Sequence, residues 1–128
     1  MKAIVTNKQG ITIVSFEGHL SFSHTTKLKE TLQELYERKK NKKVAFNFEK
    51  LEFVGSSGIK PFIKMLKEFN KETQKPRFYG LSTEYQRLFK AFEGRNPFFI
   101  FNDEREALKS YRFTPNKRWI ATKRTARA

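Results

Sequence analysis

The sequence predicts a single α/β domain on a mixed five-stranded sheet, and three observations carry that prediction. Hydrophobic periodicity switches repeatedly between two and about 3.6 residues, giving the order β-β-α-β-α-β-α-β-α. Strands alternating with helices imply a largely parallel sheet, and the opening pair, joined by Asn7-Lys8-Gln9-Gly10, adds one antiparallel neighbour. A length of 128 residues, with 38% apolar side chains and 14 phenylalanines, suits one hydrophobic core and no more.

Residues 3–7 and 11–17 read as the opening hairpin. Ile11, Ile13 and Ser15 alternate with Thr12, Val14 and Phe16, and β-branched residues are frequent. Gly18 to Ser23 is expected to be an irregular connection. From about His24 to Lys39 the period becomes helical, with Leu28, Leu32, Leu35 and Tyr36 on one stripe and Ser23 or Thr25 as cap. The run Arg38-Lys39-Lys40-Asn41-Lys42-Lys43 places cations where the helix dipole favours them, and its plain reading is a solvated helix end and loop.

Val44 to Phe48 is a short central strand, with Glu49 to Glu52 expected to connect it to the next motif. Ile59, Phe62, Ile63, Leu66 and Phe69 then line one helix face, with Lys60, Lys64, Lys67 and Lys71 largely on the other. Pro61 suits a first turn, which starts the helix at Ser57 or Gly58. Residues 76–80 form a fourth strand. Ser82 caps a helix that buries Tyr85, Leu88, Phe89 and Phe92 and stops at Gly94. A turn at Asn96-Pro97 leads to a fifth strand, Phe98 to Phe101. Asp103 with Glu106 resembles a capping box opening a last helix, whose apolar side is Ala107, Leu108 and Tyr111.

Composition narrows the function classes. Cysteine is absent, which removes disulfides and thiolate metal sites and fits a reducing compartment. No stretch approaches the roughly 18 apolar residues of a membrane span, and the N-terminus lacks the apolar run of a signal peptide. The chain is therefore expected to be soluble and cytoplasmic. Its two histidines, His19 and His24, lack the spacing of a metal site, and no nucleophile elbow or P-loop lysine motif occurs. No catalytic residue, metal or cofactor is assigned.

The stretch with the most chemical content is Phe53-Val54-Gly55-Ser56-Ser57-Gly58-Ile59-Lys60. An apolar run ends in a Gly-Ser-Ser-Gly turn and a helix begins at once. Two hydroxyls at a helix N-terminus can cap orphan N–H groups, an effect of about 1 kcal/mol, or present a phosphate to them. Both readings stand on the residues alone.

Together with the element order, these residues resemble a STAS domain of the anti-sigma-factor-antagonist type over roughly residues 3–111. Gly18-His19-Leu20 is similar to the family's G-x-L at the end of the second strand. Leu51 to Ile59 looks like its signature of apolar residue, Asp, Ser or Thr, Ser, Gly, apolar residue. The resemblance implies a STAS-like fold and a non-catalytic regulatory module in a bacterial signalling system. Its partner would be an anti-sigma factor that is also a serine kinase. The resemblance makes Ser56 the phosphate acceptor, ahead of Ser57. The partner surface would comprise Gly18, Leu20, Gly55, Ser56, Ser57, Gly58, Ile59 and Lys60. Gly55 stands where the family has Asp, so the carboxylate beside the acceptor hydroxyl is missing.

Charge supplies a second reading from another class. Lys and Arg number 27 against 13 acids, a formal net charge of +14, which favours encounter with any polyanion. Residues 112–128 read as a basic tail without an acid. Arg112, Lys117, Arg118, Lys123, Arg124 and Arg127, with Trp119 for stacking, could contact nucleic acid together with Lys42, Lys43 and the lysines of the helix after the motif.

Overall fold

The computed structural model describes residues 2–20, 24–38, 43–53, 59–71 and 75–112. The strands are β1 (Lys2–Lys8), β2 (Ile11–Leu20), β3 (Val44–Phe53), β4 (Arg77–Tyr79) and β5 (Phe99–Phe101). The helices are α1 (His24–Arg38), α2 (Ile59–Phe69), α3 (Thr83–Phe92) and α4 (Glu104–Arg112). The five strands form one sheet in the order β1-β2-β3-β4-β5. β1 is antiparallel to β2, and the other three pairings are parallel. Both the expected element order and the mixed sheet are observed.

Alternation along β2 assigns the two sheet faces. Val14, Phe16 and Leu20 join Leu28, Leu32 and Tyr36 of α1, Phe62, Ile63 and Leu66 of α2, and Phe89 of α3 in the larger core. Ile11 and Ile13 face the other way and meet Ala107 and Leu108 of α4. The phenylalanines make a continuous layer under the first three helices. Phe46 stacks on Phe16 at 5.8 Å and on Phe78 at 5.4 Å between ring centroids. Edge-on contacts tie Phe62 to Phe16 and Phe89 to Phe78. Such pairs are each worth about 0.5–1.5 kcal/mol beyond the area they bury. Met65, off the expected stripe of α2, is buried as well.

α4 is locked by polar contacts as well as by packing. The Tyr111 hydroxyl sits between the carbonyl oxygens of Val44 and Lys75, at 3.0 and 3.1 Å, and accepts from the Val44 N–H at 3.1 Å. The buried Arg77 guanidinium lies 3.8 Å from the Tyr111 ring centroid, while its Nε donates to Ser110 Oγ at 2.8 Å. Burial lowers the Arg77 pKa from its ordinary value and raises that of Tyr111. The helix opens as expected at Asp103, whose Oδ1 accepts from the Glu106 N–H at 2.9 Å. Glu106 reaches back one residue further than a standard capping box, to the Asn102 N–H at 3.3 Å. Ser82 caps α3 through the Tyr85 N–H, and Gly94 follows the terminal Glu93 with a φ of +64°.

Several boundaries depart from the sequence reading. β2 continues through Gly18 and His19 to Leu20, where an irregular connection was expected. β3 runs on through residues 49–52, expected as a connector, to Phe53. Each extension has the other as hydrogen-bonding partner, which local propensity does not reveal. Thr25 lies inside α1 rather than capping it, and Ser23 is outside the described residues. The fourth and fifth strands are each shorter than expected, at three residues.

Beyond Asn47, the last β3 residue paired with β4, the chain stays close to β3 at Gly80. A Cβ at Gly80 would stand 2.7 Å from the Glu49 backbone nitrogen, and its φ is +85°. Backbone nitrogen cannot yield as a flexible side chain can. Gly80→Ala is therefore expected to lower stability by about 2–4 kcal/mol in urea unfolding, from the left-handed backbone and the clash together. Tyr111→Phe should cost about 1–3 kcal/mol in the same assay, because the Val44 N–H loses its acceptor.

Candidate partner-binding edge

The C-terminal ends of β2 and β3 form a two-stranded arm that passes beyond the reach of β4. Gly18 pairs with Leu51, His19 with Glu52 and Leu20 with Phe53, whereas β4 stops opposite Asn47. The arm owes its alignment to an irregularity between the Ser15–Asn47 and Glu17–Lys50 pairs, where β3 advances three residues for two of β2. That extra residue restores the alternation: Leu51 and Leu20 face the α1–α3 core. Gly18 accommodates a φ of +97° within the strand, a backbone conformation that side-chain-bearing residues seldom take.

This pairing fixes the two strand ends relative to each other. Paired strands lie about 4.8 Å apart, so the chain leaves Leu20 and Phe53 from adjacent points on one edge. The carboxyl ends of parallel strands are where open α/β sheets place their recognition loops. α2 begins on the same side, with Ile59 half-buried against the core and Lys60 exposed. Of the expected partner surface, Gly18 and Leu20 lie on the arm, and Ile59 and Lys60 open α2, with Leu20 and Ile59 adjoining the same core. Leu20 is fully buried, so its side chain anchors the end of β2, while Gly18 is exposed. Gly55, Ser56, Ser57 and Gly58 lie outside the described residues, as do Lys42, Lys117, Arg118, Trp119, Lys123, Arg124 and Arg127. Arg112 closes α4 and is exposed.

Electrostatics at the edge is solvent-moderated. His19 Nε2 stands 2.8 Å from Glu52 Oε2, with both side chains about 70% exposed (68% and 72%), so the contact orients the rim and adds little stability. The sequence carried a signal for this pair: Lys50 and Glu52 alternate with Leu51 and Phe53, the period of a strand. Elsewhere, burial first and then the nearby Glu104 and Glu49 carboxylates hold the Tyr79 phenol far above its ordinary range. It serves as a neutral donor to Glu104 Oε1, at 3.3 Å. Among the described residues no group of three His, Asp or Glu side chains gathers to hold a metal ion. No described helix is long and apolar enough to cross a membrane. The α2 lysines and Arg112 stand on opposite faces of the sheet, so they do not form one continuous patch among the described residues.

Comparison with known proteins agrees with this fold. The chain is similar in structure to SpoIIAA, an anti-sigma factor antagonist solved in its unphosphorylated form. The TM-score is 0.64 at 15% identity, covering 88% of this chain and 99% of that one. It is similarly close to an anti-sigma factor antagonist from Mycobacterium paratuberculosis, with a TM-score of 0.64, 16% identity and coverage of 87% and 93%. A serine-to-glutamate variant of RsbS from Moorella thermoacetica gives 0.66 at 11% identity, covering 88% and 96%. At such identities these likenesses establish the fold. No curated protein matches the sequence at a significant level. The profile of the STAS domain matches residues 2–107, and the chain belongs to the STAS domain family.

Proposed function

We propose that this protein is a non-catalytic regulatory module that docks a protein partner on the edge formed by the β2 and β3 ends and the start of α2. The partner class is an anti-sigma factor or a serine kinase of that type. The observation that carries the reading is the Leu20–Phe53 pairing, by which the chain leaves both strands at neighbouring points on the carboxyl edge of a STAS fold.

Ser56 is the proposed switch, with Ser57 as the subordinate candidate. A phosphate there adds about −1.5 to −2 charges next to a docked surface, enough to oppose binding through desolvation and repulsion without refolding the domain. Within the free protein the same group would be well tolerated, because the start of α2 offers N–H groups and Lys60 offers a cation. Gly55 removes a neighbouring carboxylate. Docking survives that change more readily than phosphoryl transfer does, because docking uses the whole edge.

The experiment is capture of an anti-sigma-factor-type kinase from the native cell on wild-type and variant baits, with phosphosite mapping. Ser56→Asp should lower capture about tenfold or more, while Ser56→Ala retains it. Equal capture by both variants would sink the switch. His19→Ala and Glu52→Ala, on the exposed rim, should each change folding stability by less than about 1 kcal/mol, measured by urea unfolding. A loss of capture in either would then report a contact with the partner rather than unfolding.

A further inference from the structure

α2 keeps a charge arrangement that works against its own stability. Its solvent side consists of Lys60, Lys64, Lys67 and Glu68, continued by Lys71 just past the helix end. Glu68 is already taken by Lys29 of α1, at 3.0 Å, and none of the four lysines makes an ion pair with a described residue. Lys60 and Lys64, and Lys64 and Lys67, are like-charge neighbours at helical spacing, each pair unfavourable by a few tenths of a kcal/mol. The first turn contains no acid, so Lys60 also opposes the positive end of the helix dipole. α1 also opens without an acid, and α4 repeats the like-charge spacing at Arg105, Lys109 and Arg112, but neither joins a cation stripe to an acid-free first turn. α1 mixes Lys27, Lys29 and Arg38 with Glu30, Glu34 and Glu37, while α3 and α4 place acids in their first turns.

We propose that this lysine stripe is a docking track for an acidic helix of a partner protein. This assignment rests on the partner-binding reading above for its setting, since α2 starts at the same edge. Lys60 to Lys67 spans about 10 Å along the helix axis, so glutamates at i, i+4 and i+7 of a facing helix would meet the three cations. A phosphate backbone is the other polyanion of matching charge. The aromatic rings whose burial the structure describes are all buried or only partly exposed, whereas stacking of bases carries much of single-strand binding. Arg112, where the basic tail begins, lies on the opposite face of the sheet. An acidic partner also explains how a phosphate at Ser56 would act: it would compete for Lys60 and repel the incoming carboxylates.

The test titrates the full chain, labelled with nitrogen-15, at low ionic strength with a synthetic alanine-based helical peptide bearing glutamates at i, i+4 and i+7. A short single-stranded RNA is titrated separately. The peptide should shift the amides of residues 60–71 saturably, and Lys60→Glu with Lys64→Glu should weaken it about tenfold or more. A peptide with lysines at those positions should bind the charge-swapped variant. Arg105→Glu with Lys109→Glu, an equal charge change on α4, should leave affinity within about twofold. Lys64→Gln should raise the melting temperature of the free protein, as relief of repulsion requires.

Absence of peptide binding, equal loss in the α4 variant, tighter binding of RNA at the same amides, or no stabilisation by Lys64→Gln would each overturn the assignment. Ser56→Asp separates the two readings. If wild type binds the peptide on α2 while Ser56→Asp still captures the partner, the stripe stands and the switch falls. If Ser56→Asp loses the partner while wild type ignores the peptide, the stripe falls and the switch stands.

Discussion

The parallel pairing of β2 with β3 is the constraint on which the rest of this structure depends. It is central in the sheet, continues past β4, and carries both strand ends out to the same edge. A register error of one residue would turn either Val14 and Phe16 or Phe46 and Phe48 away from the three covering helices. The phenylalanine layer therefore guards the register as much as it supplies burial. The single irregularity near Glu17 keeps Leu20 and Leu51 facing the core beyond the point where β4 ends. Without it, the arm that presents the candidate edge would expose its apolar residues.

The buried polar network and the proposed recognition surface occupy different parts of the molecule. The α4 side is fixed by a buried network in which Tyr111 and Arg77 each satisfy several partners, and the Tyr79 phenol is held neutral among carboxylates. These groups are bound into packing. The β2–β3 edge and α2, in contrast, hold exposed pairs of small energetic weight and a row of lysines without acidic partners among the described residues. Surface charge of this kind contributes to encounter and specificity far more than to folding. Under the proposed switch, a phosphate on Ser56 would act on association rather than on the buried network.

Local chemistry made much of this legible in advance. The order of elements, the two faces of β2, the α1 and α2 stripes, the Ser82 cap and the Asp103 start of α4 all follow from periodicity and from orphan N–H groups a few residues away. The Gly18-His19-Leu20 and Leu51 to Ile59 segments also pointed to a STAS domain, which the family match over residues 2–107 bears out. Tertiary contact alone decided the rest. Gly18 to Leu20 and Glu49 to Glu52 are strands because each finds a partner some thirty residues distant, and Thr25 falls inside a helix rather than at its cap. Burial of Leu20, the approach of Gly80 to Glu49, and the capture of Glu68 by Lys29 are likewise contacts between distant segments. A hydrophobic period is a property of neighbours in the chain. Which strand ends share an edge, and which lysines keep an unneutralised charge, depends on register and crossing, and those exist only once the chain has folded.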